Sequence, residues 1–470
     1  MLFISFVSSS LLNGDYEFYS EFHPVRGSED DFQLIWQNDT TQTFSNDWNS
    51  EIVRKDWEVG EDMSLVSDQL YVTSTLFSVD SVDIGIFSHN VTSDITLSDQ
   101  QSTAIWNRPE FTYVGDLEYS TNGNLILAGT MRRFIQHEND SHESEVYDLM
   151  VLTYDLEEQR WSNEWIWPTN DNDYTNDAII TSDNDLYVIG SKQSYPHGNS
   201  IIIVKINLHS SETEWIQTYE ELGTEEGLSL AMGTDNYLYA LGGQSSISRD
   251  ENYYMLKIQP ESGELVWSMS WGSQRVNRGK SLIYGSDDHL YLTGYSYDLD
   301  NLNSNVSIFK INPKNQEIVW SQTWGTKLRD GGQDIVEYKN NLIVVGTANA
   351  PTVSGGELLL LEVNSTDGDI LTSSLWGSVN SEQGRKIIID QEEEMLYVLV
   401  SLIHANDLKS DSNVIIGYFR TGLTHSKEKS NSQDLLFGTL ILLSLLIVIL
   451  WLNRPIFKRD FLHRKTKKGD

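Results

Sequence analysis

The sequence predicts an all-β fold: a β-propeller of seven or eight four-stranded blades, followed by one C-terminal transmembrane helix. Three observations carry this. A repeat recurs about every 52 residues, the composition suits strands joined by tight turns, and one long apolar run lies near the C-terminus. The 470 residues include 32 Gly, 14 Trp and 22 Tyr but only 8 Pro, a balance that favours β-structure over disorder.

The repeat shows in WGSQRVNRGKSLIYGSDDHLYLTGYS, WGTKLRDGGQDIVEYKNNLIVVGTA and WGSVNSEQGRKIIIDQEEEMLYVLVS. Each begins Trp-Gly, at Trp271, Trp324 and Trp376, and has a Gly eight positions later, at Gly279, Gly332 and Gly384. A Leu then opens an apolar run. Leu70, Leu125, Leu186, Leu238, Leu290, Leu342 and Leu396 hold this place, at spacings of 55, 61, 52, 52, 52 and 54. A period near 52 with four strand signals per unit is the mark of a propeller.

One unit reads as an inner strand 281–285, a second strand 290–296, a third 306–312 and an outer strand 316–324. Ser286-Asp287-Asp288-His289 and Pro313-Lys314-Asn315 connect them. The Asp and Asn suit turns, because their side chains bond to nearby backbone. Each turn lacks the carboxylate count of a calcium loop; calcium is the one ion these turns leave room for, and no cofactor is expected.

Paired aromatics mark the outer strands: Phe44/Trp48, Trp161/Trp165, Trp215/Tyr219, Trp267/Trp271 and Trp320/Trp324. A separation of four puts both rings on one strand face. Their recurrence assigns Trp48, Trp106, Trp165, Trp215, Trp267, Trp271, Trp320, Trp324 and Trp376 to docking between blades; an aromatic platform for sugars is the alternative.

These segments resemble the bacterial and archaeal β-propeller repeat often called SBBP. LKIQPESGELVW, 256–267, is similar to quinoprotein-type, PQQ-like blades that end in a docking tryptophan. The resemblance covers roughly residues 40–419. It implies a propeller used for extracellular binding or scaffolding. Quinoprotein dehydrogenases add cofactor and calcium machinery and, in many members, a vicinal cysteine pair. This chain has no Cys, which removes that disulfide, as well as thiol catalysis and Cys-based metal sites.

Counting second strands gives eight blades if residues 16–20 belong, and eight is slightly favoured; counting outer strands that end at 48, 106, 165, 219, 271, 324 and 376 gives seven. The last unit has a third strand at 412–419 but no fourth, so an N-terminal strand or one upstream must close the ring, since open edges invite pairing. MLFISFVSSSLL makes a poor signal peptide, so a start further upstream is favoured, with an atypical signal or a strand at residues 2–8 as the alternatives.

Residues 1–419 therefore read as an extracellular propeller and 420–434 as a polar stalk. Residues 435–452 hold 18 consecutive uncharged residues, about 27 Å of helix, close to the ~30 Å hydrocarbon core. The tail, 453–470, has seven basic residues against two acidic, so it carries +5 and the rest of the chain −42 of the net −37. The positive-inside rule puts the tail in the cytoplasm and the body outside. A strongly acidic body argues against nucleic acid as a partner.

No catalytic motif is present. Recognition is expected in the variable second-to-third-strand loops, 131–148, 191–200, 295–305, 349–357 and 402–412. Within the first, His137, Glu138, Asp140, His142 and Glu143 are residue types that bind zinc-like metals. The reading is a single-pass surface protein whose propeller binds an extracellular protein or glycan. A propeller enzyme, quinoprotein-like or hydrolytic, and a structural envelope protein are the alternatives. Carboxylates, His and Arg converging on the channel mouth would favour the enzyme, and a featureless channel with a varied loop face would favour binding.

Overall fold

The computed structural model describes residues 25–26, 33–37, 55–78, 82–90, 101–106, 111–136, 143–194, 198–221, 223–245, 250–272, 276–298, 303–349, 356–377, 381–391, 395–403 and 412–420. Among them every regular element is a strand. The chain divides into two units, 1–420 and 421–470, and the stalk, apolar run and basic tail lie outside the described residues.

The strands form seven antiparallel four-stranded blades: I (55–106), II (111–167), III (172–219), IV (224–271), V (276–324), VI (331–376) and VII (381–420 with 33–37). Blades IV and V share one sheet only through the parallel pair Glu251↔Val276. Val25–Arg26 adds a short parallel strand outside blade VI.

The described residues thus make seven blades, not the favoured eight. The inner strands touch in sequence around a closed circle, and Ser381–Asp390 of blade VII meets Lys55–Val66 of blade I. Met63, Leu70 and Val72 of blade I pack there on Tyr397 and Leu399 of blade VII, leaving no gap for another blade. Six further clusters fill the other six interfaces. Closure uses an N-terminal strand: Gln33–Gln37 pairs with Ser412–Arg420, from Gln33↔Tyr418 to Gln37↔Ile415. The ring-closing strand therefore precedes Phe44 and Trp48, which lie outside the described residues, as do residues 2–8 and 16–20.

Polar turns do what their residues suggest. Asn184, Asn236 and Asp288 take positive φ in first-to-second turns, where Asn and Asp are tolerated. Asn312 Oδ1 accepts from Lys314 N–H at 2.9 Å, and Asn207 Oδ1 from His209 N–H at 3.0 Å. The opposite face carries the longer connections. There the supposed loop 131–148 is mostly hairpin: one strand runs to Gln136 and the next starts at Glu143.

Candidate functional site

Each inner strand bulges at the same place, and in five of the seven the residue before the bulge is the recurring Gly: Gly60, Gly227, Gly279, Gly332 and Gly384. Register shifts occur at Gly60/Asp62, Val114/Asp116, Thr175/Asp177, Gly227/Ser229, Gly279/Ser281, Gly332/Asp334 and Gly384/Lys386. At Gly279 a Cβ would come within 2.6 Å of Leu241 in the preceding blade, so the bulge can approach its neighbour only without a side chain. Bulges re-aim side chains. Here they bring fourteen residues, two per blade, around a channel cavity of about 250 Å³.

One ring consists of Asp62, Asp116, Asp177, Ser229, Ser281, Asp334 and Lys386. Much of it stitches blades together. Asp62 accepts from Leu117 N–H at 2.7 Å, Asp177 from Leu230 N–H at 2.7 Å, Ser229 from Leu282 N–H at 3.2 Å and Asp334 from Ile387 N–H at 3.0 Å. Lys386 Nζ lies 3.1 Å from Asp62 and 3.4 Å from Asp116. Burial opposes its charge, but Asp62, Asp116, Asp334 and Asp177 outweigh that and hold it protonated. One cation serves four acids. Burial and the Asp62 charge push Asp116 well above its ordinary carboxylate value, against the pull of Lys386.

The second ring, toward the variable-loop face, holds Glu61, Gly115, Asn176, Leu228, Lys280, Gln333 and Arg385. Arg278, two residues before Lys280, bonds Glu226 at 2.6 Å. Tyr295 pairs with Arg278 across the strands. Nearby, the rings of Tyr147 and Tyr174 stack at 5.4 Å. Burial, then the Arg278 charge, lowers Lys280 to about 8. Burial pushes Glu61 up to about 7, against the pull of Arg385.

These shifts set a pH dependence. Burial also raises Asp177 to about 6 and Glu118 to about 8. Carboxylates with raised folded-state pKa values give stability that is complete below their unfolded values and lost as pH rises through the folded ones. The melting temperature should therefore climb as pH falls from 8 to about 5, and thermal scans across that window should show it. A fall instead would mean these acids are ionised without cost.

The tryptophans stand at blade seams. Trp215 Nε1 donates to Pro260 O at 2.9 Å and Trp320 Nε1 to Ser365 O at 3.2 Å, each in the next blade. Gly368, at φ +81°, lets its turn lie on the Trp320 ring, 2.8 Å from where a Cβ would be. Trp165 Nε1 donates to Thr213 Oγ1 at 3.0 Å, and Trp267 tilts against Tyr239 at 6.1 Å. Trp106 and Trp324 are buried in the I/II and V/VI clusters, while Trp271 and Trp376 are partly buried at IV/V and VI/VII. Of the metal candidates, Glu143 starts a strand opposite Gln136. His137, Glu138, Asp140 and His142 lie outside the described residues. Among the described residues no three metal-ligating side chains are grouped to hold an ion.

The sequence reading missed the channel residues, because it treated the recurring Gly as framework and looked for function in the loops. The signal was the pair of residues that follows the Gly: Lys280-Ser281, Gln333-Asp334 and Arg385-Lys386 differ in chemistry where the surrounding repeat does not.

No protein-family model and no curated protein matches the chain. Among solved structures it is similar to the polysaccharide lyase Uly1, with TM-score 0.52, 9% identity and coverage of 77% of this chain and 90% of that one. It is also similar to a PL25 ulvan lyase, with TM-score 0.54, 10% identity and coverage of 75% and 90%; the structure of a PL25 ulvan lyase bound to -[GlcA(1-4)Rha3S]- gives the same values. A quinohemoprotein alcohol dehydrogenase from Pseudomonas putida HK5 aligns with TM-score 0.45 and 10% identity, covering 85% and 78%. At such identities the lyase likeness is one of fold. The chain is a β-propeller.

Proposed function

We propose that this propeller is an outward-facing binding module, tethered by the 435–452 helix, whose channel mouth takes an anionic glycan bearing carboxylates. The observation that carries this is a pair of cations, Lys280 and Arg385, lining one cavity in a chain of net charge −37. Neither has a carboxylate within ion-pair distance among the described residues. The ulvan lyase of similar fold holds a GlcA-containing saccharide, so this architecture accommodates a uronate chain.

Orientation follows from chain direction. Ser412–Arg420 runs from Ser412 beside Ile403 to Arg420 beside Met395, so the chain leaves on the short-turn face.

The test is calorimetric titration of the full chain in detergent micelles with polygalacturonate, and with dextran as the neutral control. Polygalacturonate should bind and dextran should not. Arg385→Ala should weaken binding about tenfold or more, the loss expected for one charge-assisted contact. Equal binding of both polymers, or of neither, defeats the reading.

A further inference from the structure

Four lysines inside the propeller are neutralised. Lys205 lies 2.9 Å from both Asp185 and Glu214, Lys257 2.8 Å from Asp235, Lys310 2.7 Å from Asp287, and Lys386 3.1 Å from Asp62. Lys280 differs. It sits on a bulge facing the channel, and no carboxylate lies within ion-pair distance among the described residues. Glu226, one of the two acids whose charge acts on Lys280, is engaged by Arg278 at 2.6 Å. Arg385, across the same cavity, spends only its Nε, on Ser401 Oγ at 3.3 Å. An amine kept apart from acids and beside other cations loses its proton readily and becomes a nucleophile.

We propose that Lys280 is a nucleophilic amine that condenses with small carboxylated aldehydes and ketones, with Arg385 as the residue that positions their carboxylate. The amine nitrogen attacks the carbonyl carbon, and one of its two protons passes to the carbonyl oxygen to give a carbinolamine. The C–O bond then breaks, the hydroxyl leaves as water with one proton from solvent, and the nitrogen loses its own proton to solvent. The product is an imine, and no oxidant or reductant is consumed. The lowering of Lys280 to about 8 agrees with this. It leaves roughly two orders of magnitude more free amine at neutral pH than an ordinary lysine has. The inference goes beyond polyanion binding and stands or falls separately from it.

The experiment treats the full chain in micelles with glyoxylate and cyanoborohydride at pH 7, then maps the reduced adduct by peptide mass spectrometry. Adduct at Lys280 should exceed that at exposed Lys314 and Lys339 by about tenfold or more. Arg385→Ala should lower glyoxylate labelling of Lys280 several-fold more than propanal labelling, which falls only by the loss of one neighbouring positive charge, and Arg385→Lys should restore part of it. Adduct spread evenly over the lysines overturns the proposal. So does equal loss of both labels in Arg385→Ala, which would mean Arg385 only supports the fold. Labelling at Lys280 without polygalacturonate binding would defeat the binding-module reading alone.

Discussion

Lys386→Met will destabilise the propeller by about 3 kcal/mol, read as a lower midpoint in urea unfolding. Removing one partner of a buried ion pair costs roughly 3–5 kcal/mol, because the other charge is left uncompensated. The channel leaves the Lys386 side chain 31% exposed, so water moderates the loss toward the low end of that range. The acids at stake are Asp62, Asp177 and Asp334, each already accepting a backbone N–H from the next blade. Asp116 is different, since burial and the neighbouring Asp62 push its pKa well up and so disfavour its charged form. Asp116→Asn, which mimics the neutral form, should therefore cost less than Lys386→Met. A Lys386→Met chain as stable as the parent would show that the ring of acids needs no cation.

Trp324→Ala carries the second large effect, about 3–5 kcal/mol, the range for deleting a buried large aromatic side chain. Trp324 ends an outer strand and packs with Val306 and Ile308 of its own blade and Ile335 and Leu342 of the next. The cavity would open in the V/VI seam, where both sheets constrain relaxation. Trp320→Ala should cost less. That ring is only partly buried, though the carbonyl of Ser365 loses a donor. Differential scanning calorimetry of the two variants compares them. Equal loss, or a larger one for Trp320, would move the main seam contact to the turn. Retained stability of both with lost glycan binding would return the aromatics to a ligand role.

How much of this was legible in the sequence differs between framework and site. In the unit at 276–324 the second, third and outer strands matched their sequence reading to within three residues, because turn residues and apolar alternation are local signals, whereas the inner strand begins at Val276 and not at 281. Blade number was not local. Residues 16–20 resemble a second strand, yet the ring is closed by Gln33–Gln37; Phe32 and Trp36 carry the four-residue aromatic spacing that marked other outer strands, a signal the sequence reading passed over. Ring closure is decided by whether the first and last inner faces fit, as Met63 and Tyr397 do, and no single repeat encodes that. The channel was hidden for the opposite reason. Lys280 and Arg385 lie within well-recognised repeats, 105 residues apart in sequence, and only the circular arrangement brings them to one cavity.

The pairing of Gln33 with Tyr418 also orders events in time. Contacts this distant along the chain form late, because the entropy of closing the intervening loop must be met before they give anything back. During synthesis at roughly 5–20 residues per second, the first strand waits on the order of tens of seconds for its partner to emerge. Through that interval Lys55–Val66 and the unfinished seventh blade stay exposed, and the early blades must remain soluble as an open arc. Folding of this ring is therefore a race between its two ends meeting and either end meeting something else.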